Sequence, residues 1–448
     1  ADYQKTEGAE NVGIILMNPN NGEIYVMASN KGYDLNNPRD LTGYFSQKEI
    51  DSMSDDKKLE ELSNIWKNYC TSDIYEPGST FKPFTVAACL EENVVKKKQE
   101  FYCKGYEIVM DRKIRCAKRD GHGMINLSQS LEQSCNVTMM QIVRKLGRKD
   151  FARYQDIFGI GSRTGIDFPG ETTGLVYNEA QLNPVELATS SFGQSVSVTM
   201  IQMASAFCSV INGGSYYRPH VVKQILNANG TVIKDVQPEL MRVTVSEDTS
   251  AFLREALFQT VEGGTGKPAQ IQGYHVGGKT GTAQKLPRSA KNYLVSFCGF
   301  APVEDPQLLV YVVVDTPNLE GEAQASASFA TKIEQKIMND ALQFLNIQPQ
   351  GETDPNASLN KDLQSEEGIL GESQSKEEDE AGQSGKKEGA SEKTENNSSA
   401  KKDSSASDAQ DSKVVKRSVD TDEKAEDEGE VPDELPSTSE STESTSVR

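Results

Sequence analysis

The sequence has no hydrophobic stretch long enough to cross a membrane; its longest apolar run, Leu308–Val314, has the length of a strand. It has no basic patch or stripe, and 67 acidic side chains outnumber 47 basic ones, which argues against a nucleic-acid-binding protein. Collagen-like composition, heptad patterning and internal repeats are also missing. What remains is a chain of 448 residues, long enough to bury a substantial core.

Aromatic residues are missing from the C-terminal hundred positions. Residues 351–448 contain no Phe, Tyr or Trp and carry 27 acidic and 12 basic side chains. Such a segment cannot bury enough apolar surface to offset its loss of chain entropy on folding. We therefore predict a globular domain at residues 1–348 and a disordered, acidic, Ser-rich tail at residues 349–448, which we interpret as a solvated spacer.

The seven cysteines form no Cys-x-x-Cys pair and show no zinc-ligand spacing, so we predict neither a metal site nor a cofactor. Cys103 and Cys116 flank a predicted hairpin at residues 105–114, which would allow a disulfide between them. The alternative, which we favour, is that all seven are free, small and mostly buried.

Strand patterns occur near both ends of the globular part. Residues 12–29 contain two β-rich runs around an Asn-Pro-Asn-Asn-Gly turn and predict a hairpin. Three late strands, 275–284, 292–300 and 308–315, have short connections and should pair antiparallel. The hairpin must join their sheet, because two strands alone are too few to be stable.

Helical patterns fill the rest of the globular part, which predicts an α/β fold of the α+β type. We expect one antiparallel sheet flanked by helices, together with a mostly helical subdomain. The helical segments are 46–68, 79–92, 127–146 with a break near Ser134–Asn136, 184–190, 199–211, 249–262 and 328–345.

Only three histidines occur, and no Gly-x-Ser-x-Gly elbow is present, so a Ser-His-Asp hydrolase is disfavoured. His122, His220 and His275 are expected to have structural or surface roles. A serine activated in this chain would need another base, and a lysine is the obvious candidate.

The segment Ser79-Thr80-Phe81-Lys82 follows Glu76-Pro77-Gly78 and opens an apolar helix. Positions i and i+3 share a helix face, so Lys82 should approach the Ser79 hydroxyl. Phe81 and Phe84 should bury Lys82, and burial lowers a lysine pKa from its usual value of about 10.4. A neutral amine beside a hydroxyl is a general base. The alternative is a capping serine beside an exposed lysine.

Two further segments strengthen this interpretation. Ser134-Cys135-Asn136 lies between helices, so both polar side chains can project from a loop, although ordinary helix capping is the alternative. Lys279-Thr280-Gly281-Thr282 lies in a predicted strand, where its small residues let a ligand backbone approach the edge. The Lys279 ammonium and the Thr280 and Thr282 hydroxyls could bind a carboxylate group of a ligand.

The ordered trio SxxK, SxN and KTG resembles penicillin-binding proteins and serine β-lactamases. Further stretches are similar to the class B, monofunctional penicillin-binding transpeptidases, and the resemblance covers nearly all of residues 8–346 and none of the tail. These stretches are the opening hairpin, 164–171, 191–207, 212–214, 263–267 and 277–285.

The resemblance implies an acyl-transfer mechanism. Ser79 would attack a D-Ala-D-Ala stem peptide to form an acyl-enzyme, Lys82 would take its proton, and an amine from a neighbouring peptide would accept the acyl group. β-Lactams would trap Ser79. Ser134, helped by Lys279, would relay a proton, and Asn136 would bind the substrate and orient Lys82. Thr280, Gly281 and Thr282 would bind the substrate carboxylate. The backbone N–H groups of Ser79 and Thr282 would form the oxyanion hole.

The resemblance also implies partners and a location. The expected partners are peptidoglycan stem peptides, β-lactam antibiotics and other cell-wall synthesis proteins, with no nucleic acid. The expected location is the outer face of the bacterial cytoplasmic membrane, with an anchor and a non-catalytic pedestal domain that this chain does not contain.

Three alternatives remain open. Residues 273–280 match the P-loop pattern GxxxxGK[ST], but the Pro287 that follows closely disfavours the helix a phosphate site needs. Glu179, Leu182 and Asn183 resemble the ExxLN element of class A β-lactamases, which would imply that the enzyme hydrolyses the drug. A D,D-carboxypeptidase, in which water instead of an amine accepts the peptide acyl group, is a related alternative. A β-lactam sensor or inactive scaffold is the third alternative.

Overall fold

The computed structural model describes residues 8–351. The predicted tail therefore lies, apart from its first three residues, outside the described residues. Within them, no helix combines the length and apolar character needed to cross a bilayer.

The described strands fall into one large sheet and several two-stranded ribbons. They are β1 (Ala9–Met17), β2 (Ile24–Ser29), β3 (Glu100–Cys103), β4 (Tyr106–Val109), β5 (Arg112–Arg115), β6 (Gly123–Asn126), β7 (Ser215–Tyr217), β8 (Gln224–Leu226), β9 (Val232–Asp235), β10 (Leu240–Val243), β11 (Gly277–Gln284), β12 (Tyr293–Ala301) and β13 (Leu308–Pro317).

The described helices lie mainly between the two groups of sheet strands. They are α1 (Gln47–Ser52), α2 (Asp55–Trp66), α3 (Tyr69–Ser72), α4 (Lys82–Glu91), α5 (Leu127–Glu132), α6 (Asn136–Leu146), α7 (Arg148–Ile157), α8 (Pro184–Ser190), α9 (Met200–Ile211), α10 (Glu247–Glu262) and α11 (Ser328–Phe344).

The large sheet has the strand order β11-β12-β13-β1-β2, and its neighbours are antiparallel throughout. The opening hairpin joins the late strands through β1 and β13, where Ile15 lies opposite Tyr311. The predicted sheet and the predicted place of the hairpin in it are confirmed. Strand β11, which carries the Lys-Thr-Gly-Thr segment, is at one edge.

The central strand β13 is buried on both faces, which explains its uninterrupted apolar sequence. Leu308, Val310, Val312 and Val314 pack on the side of helix α11. Leu309, Tyr311 and Val313 face the opposite way, into the larger core shared with the helices of the insert. The sheet is therefore the middle layer of a helix–sheet–helix arrangement.

Helix α4 is the centre of the larger core, because all its residues except the last are buried. Phe84 packs against Phe158 and Phe207 at ring-centroid distances of 5.1 and 6.2 Å. Such aromatic packing fixes the orientation of the helix and of the turn that precedes it.

Several elements differ from the sequence prediction. The predicted helix 46–68 is divided into α1 and α2, because Ser54 caps the second helix by accepting a hydrogen bond from the Lys57 N–H. Helix α7 and the ribbons β3–β6, β7–β10 and β8–β9 were not predicted. The predicted hairpin at 105–114 is present as β4–β5.

Candidate active site

The Ser79 turn begins at Gly78, whose φ of 55° is favourable only for glycine. Residues Gly78–Phe81 form a 3-10 turn that continues into α4, and the Lys82 N–H donates to the Ser79 carbonyl. The Ser79 side chain is half-buried. A partly accessible hydroxyl at the start of a buried helix is available to a substrate.

Lys82 is completely buried one turn after Ser79. Its ammonium donates to the Ser134 carbonyl at 2.6 Å, to the Ser134 Oγ at 3.0 Å and to Asn136 Oδ1 at 2.7 Å. The structure thus brings the SxxK and SxN segments together. It bonds the lysine to the second segment rather than directly to the Ser79 hydroxyl.

Burial lowers the pKa of Lys82 to about 8, although the cysteines at 135, 116 and 103 act in the opposite direction. Burial, with a smaller contribution from the charge on Lys82, also lowers the pKa of Lys279 well below its ordinary value. Two buried amines whose charges repel favour a neutral form of one of them. The site therefore holds a lysine able to accept a proton near neutral pH.

The Ser134 loop is held in a strained conformation. Ser134 has a φ of 54° and lies between helices α5 and α6, where the sequence predicted a break. Cys135 caps α6, its sulfur accepting a hydrogen bond from the Thr138 N–H at 3.5 Å. Left-handed backbone at a non-glycine residue is unfavourable and tends to persist where it directs a functional side chain.

Strand β11 lies against the Ser79 turn. A Cβ added to Gly281 would lie 3.0 Å from the Pro77 carbonyl oxygen, and one added to Gly78 would lie 2.5 Å from the Thr282 carbonyl oxygen. The buried Lys279 ammonium lies 3.3 Å from the Thr280 carbonyl. The three predicted segments therefore converge, as the sequence motifs required.

Thr265 connects the same segments, and the sequence analysis assigned it no role. Its hydroxyl lies 2.9 Å from Thr280 Oγ1, and its backbone N–H donates to the Glu132 carbonyl at 3.2 Å. Glu132 ends α5 just before Ser134, so Thr265 ties the KTG strand to the SxN loop. Thr265 belongs to the stretch Gly-Gly-Thr-Gly-Lys, which is similar to the class B penicillin-binding transpeptidases. That similarity was the feature of the sequence that could have identified it.

A loop after α8 supports the Ser79 turn from a second side. The Gly78 N–H donates to the Gly193 carbonyl at 2.9 Å, and a Cβ on Gly193 would lie 2.1 Å from the Gly78 oxygen. Glu76 accepts a hydrogen bond from the Ser195 N–H at 2.7 Å and pairs with Arg288 at 2.7 Å. This close packing explains why a glycine follows Phe192.

Three sequence hypotheses are not supported. The Cys103–Cys116 disulfide is wrong, because both are free thiols, as are the other five cysteines. Glu179 is half-exposed and contacts Arg148 at 4.0 Å, and Asn183 caps α8, so the ExxLN segment has structural contacts of its own. The P-loop match fails because Lys279 lies within a strand that continues to Gln284, where a phosphate loop needs a helix.

Comparisons with known proteins identify the family of this chain. Residues 12–340 match the model of the penicillin-binding protein transpeptidase domain. The chain is 39% identical over 340 residues to stage V sporulation protein D of Bacillus subtilis, covering 75% of this chain and 49% of the relative. It is 28% identical over 342 residues to a probable peptidoglycan D,D-transpeptidase, PenA, of Neisseria meningitidis, covering 75% and 52%.

The fold is also that of solved structures. Penicillin-binding protein 3 of Mycobacterium tuberculosis in complex with aztreonam superposes with a TM-score of 0.65 at 24% identity, covering 77% of this chain and 75% of that chain. The chain spans about half the length of the curated relatives it matches, at 49% and 52%.

Proposed function

Because the chain belongs to the penicillin-binding protein transpeptidase domain family, we propose that it is a peptidoglycan D,D-transpeptidase that works through a serine acyl-enzyme and is acylated by β-lactams. One observation carries the proposal: Lys82 is buried one turn from Ser79 and hydrogen-bonded to both Ser134 and Asn136. A relative named as a probable peptidoglycan D,D-transpeptidase and a neighbour solved with aztreonam support the substrate class.

In the acylation step, the Ser79 Oγ attacks the carbonyl carbon of the penultimate D-Ala while neutral Lys82 accepts the hydroxyl proton. Backbone N–H groups of Ser79 and Thr282 stabilise the oxyanion. The C–N bond then breaks, and the proton passes from Lys82 through Ser134 to the departing D-Ala amine. The product is an ester on Ser79.

In the transfer step, an amine of a neighbouring stem peptide attacks the ester. Its proton returns through Ser134 to Lys82, and Ser79 recovers its hydroxyl as the amide cross-link forms. Lys279 helps Ser134 in this proton relay, and Thr280, Gly281 and Thr282 receive the substrate carboxylate and backbone. The reaction belongs at the outer face of the cytoplasmic membrane, where other cell-wall synthesis proteins are the expected partners.

Labelling with fluorescent penicillin tests the nucleophile. Ser79→Ala should abolish covalent labelling because the other hydroxyl of this turn, on Thr80, is buried and donates to the Pro77 carbonyl. Ser54→Ala is a matched control, since Ser54 also opens a Ser-x-x-Lys sequence but is exposed and caps helix α2. Persistent labelling of Ser79→Ala would refute the assignment.

The intact mass of the protein, followed over time after a β-lactam is added, shows whether the acyl group stays on the enzyme or is released. A transpeptidase should keep the drug adduct for far longer than it takes to form it. Rapid release with drug turnover would favour a β-lactamase, and release of D-Ala to water from a peptide substrate would favour a carboxypeptidase.

A further inference from the structure

Four potential metal ligands, separated along the chain, meet behind the Ser134 loop. The side chains of Cys103, Cys116, His122 and Cys135 place their ligand atoms all within 4.8 Å of one another. The three cysteines are buried and His122 is partly buried. None of the four is used in the proposed acyl transfer.

We propose that this cluster is a structural Zn²⁺ site with a Cys₃His ligand set, and that the metal fixes the loop that carries Ser134 and Asn136. The ligand set and the closed coordination match those of structural zinc sites. The consequence for Ser134 and Asn136 rests on the proposed function, whereas the binding of zinc does not.

The observed separations fit a tetrahedral ion. Bonds of about 2.3 Å to sulfur and about 2.0–2.1 Å to nitrogen put two sulfurs about 3.8 Å apart and a sulfur and a nitrogen about 3.6 Å apart. Cys116 Sγ lies 3.9 Å from Cys135 Sγ and 3.6 Å from His122 Nδ1. A disulfide would need about 2.05 Å between sulfurs, so the present arrangement suits a shared ion better than a bond.

The backbone around the cluster is built to bring the ligands together. Cys103 ends β3 and lies opposite Gly123 of β6, immediately after His122. The Cys116 N–H donates to the Gly105 carbonyl at 2.8 Å, closing the β4–β5 hairpin next to Cys103. A Cβ on Gly121 would lie 2.3 Å from the Cys103 oxygen, so glycine is required for that approach.

The fourth ligand comes from the N-terminus of helix α6. The Cys135 sulfur already accepts a hydrogen bond from the Thr138 N–H at 3.5 Å. N–H donors of this kind orient and stabilise thiolate ligands in metal sites. Zinc binding would displace the three thiol protons to solvent, leaving three thiolates and a neutral imidazole around the cation.

Metal binding would act on the proposed catalytic residues through Cys135, which lies between Ser134 and Asn136. Both of these bind the Lys82 ammonium, so the ion would connect two ribbons of the insert to the lysine. Ser134 and Asn136 would keep their separation from Lys82 only while Cys135 is fixed. The four ligands are therefore positioning residues.

Metal content of the purified chain tests the site directly. We expect one zinc per chain by elemental mass spectrometry, and, after exchange, the visible d–d and thiolate charge-transfer bands of tetrahedral Co²⁺. His122→Ala and Cys103→Ser should each lose most of the bound metal. Cys208→Ser is the matched control, because Cys208 is also a buried free thiol but lies away from the cluster in α9.

The second measurement links the metal to Ser134 and Asn136. Removal of zinc by a chelator should slow acylation by fluorescent penicillin at least tenfold, and added Zn²⁺ should restore it in the wild type but not in His122→Ala. Ser79→Ala should lose labelling and keep its zinc, which separates a failure of the proposed function from a failure of this proposal.

The proposal would be overturned by a reduced, folded wild-type chain that binds no zinc or cobalt when either ion is supplied. It would also be overturned if Cys103→Ser, His122→Ala and the control Cys208→Ser retained equal metal, or if mass mapping showed a stable disulfide between cluster cysteines in the active protein.

Discussion

At the scale of single residues, the proposed chemistry depends on the environment of Lys82. A lysine in water is charged at neutral pH, whereas burial lowers the pKa of Lys82 to about 8. The sequence predicted this burial from Phe81 and Phe84. The resemblance implied that Asn136 orients this amine, but the sequence did not predict that the amine would also bond to the Ser134 hydroxyl.

The rate of acylation should follow the deprotonation of Lys82. In the proposed mechanism the neutral amine is the base, so the rate constant for penicillin acylation should rise about tenfold per pH unit below pH 8 and level off above it. Stopped-flow labelling between pH 6 and pH 10 measures this profile. A flat profile, with folding intact by circular dichroism, would contradict the role of Lys82.

The left-handed conformation of Ser134 allows a paired test. Ser134→Ala and Ser134→Gly both remove the hydroxyl bonded to Lys82, so both should acylate at least tenfold more slowly. Alanine at a φ of 54° keeps the backbone strain and glycine relieves it. The free energy of unfolding, measured by urea titration, should therefore be about 1 kcal/mol higher for the glycine variant than for the alanine variant. Equal stabilities would argue that the loop is not strained.

At the scale of elements, close backbone packing brings the motifs together. The loop after α8 lies so near the Ser79 turn that Gly193 has no room for a side chain. Strand β11 approaches the same turn from the other side. The position of Ser79 therefore depends on two elements more than a hundred residues away in sequence.

Gly193→Ala should damage both stability and acylation. A Cβ there would meet the Gly78 oxygen at 2.1 Å, and relieving that overlap should cost about 1–3 kcal/mol beyond backbone strain. Gly170→Ala is the control, since Gly170 also has a positive φ of 85° but its Cβ would meet its nearest atom at 3.5 Å. Thermal unfolding and penicillin labelling of both variants measure the difference. Similar losses of stability and of labelling in the two variants would show that backbone strain, and not the contact with the Gly78 oxygen, causes them.

At the scale of the described domain, one buried carboxyl group links the stability of the fold to pH. Glu334 of α11 is fully buried, and neither of its oxygens has a hydrogen-bond partner within residues 8–351. Burial raises its pKa well above the ordinary value of 4.5. Above about pH 4.5, Glu334 therefore keeps its proton in the native state but loses it in the unfolded state. The free energy of unfolding should fall as the pH rises from about 4.5 toward the pKa of Glu334 in the native state.

Glu334→Met should remove this pH dependence. Replacing an unpartnered polar group with an apolar one of similar length should raise the free energy of unfolding by about 1–3 kcal/mol near pH 8, with a smaller gain at pH 5. Glu334→Gln is the comparison variant, because it removes the titration but keeps the polarity. Urea unfolding at both pH values measures the effect, and an equal gain at both would contradict the assignment.

The sequence by itself determined the sheet, the order of the motifs and the choice of Ser79 and Lys82 as the proposed nucleophile and base. These follow from local rules: strand β13 is a continuous apolar run, the SxxK spacing spans one helical turn, and the Ser134 break separates two helical patterns. Ser54 shows the limit of such rules, since the same spacing there only caps α2.

Tertiary structure alone decided which side chains meet across long separations. The contacts between Thr265 and Thr280, between Gly193 and Gly78, and among the cluster Cys103, Cys116, His122 and Cys135 depend on how separate elements pack. No periodicity or short spacing encodes them, because the partners come from different turns and strands. Packing density and backbone pairing, which are properties of the whole fold, set those distances.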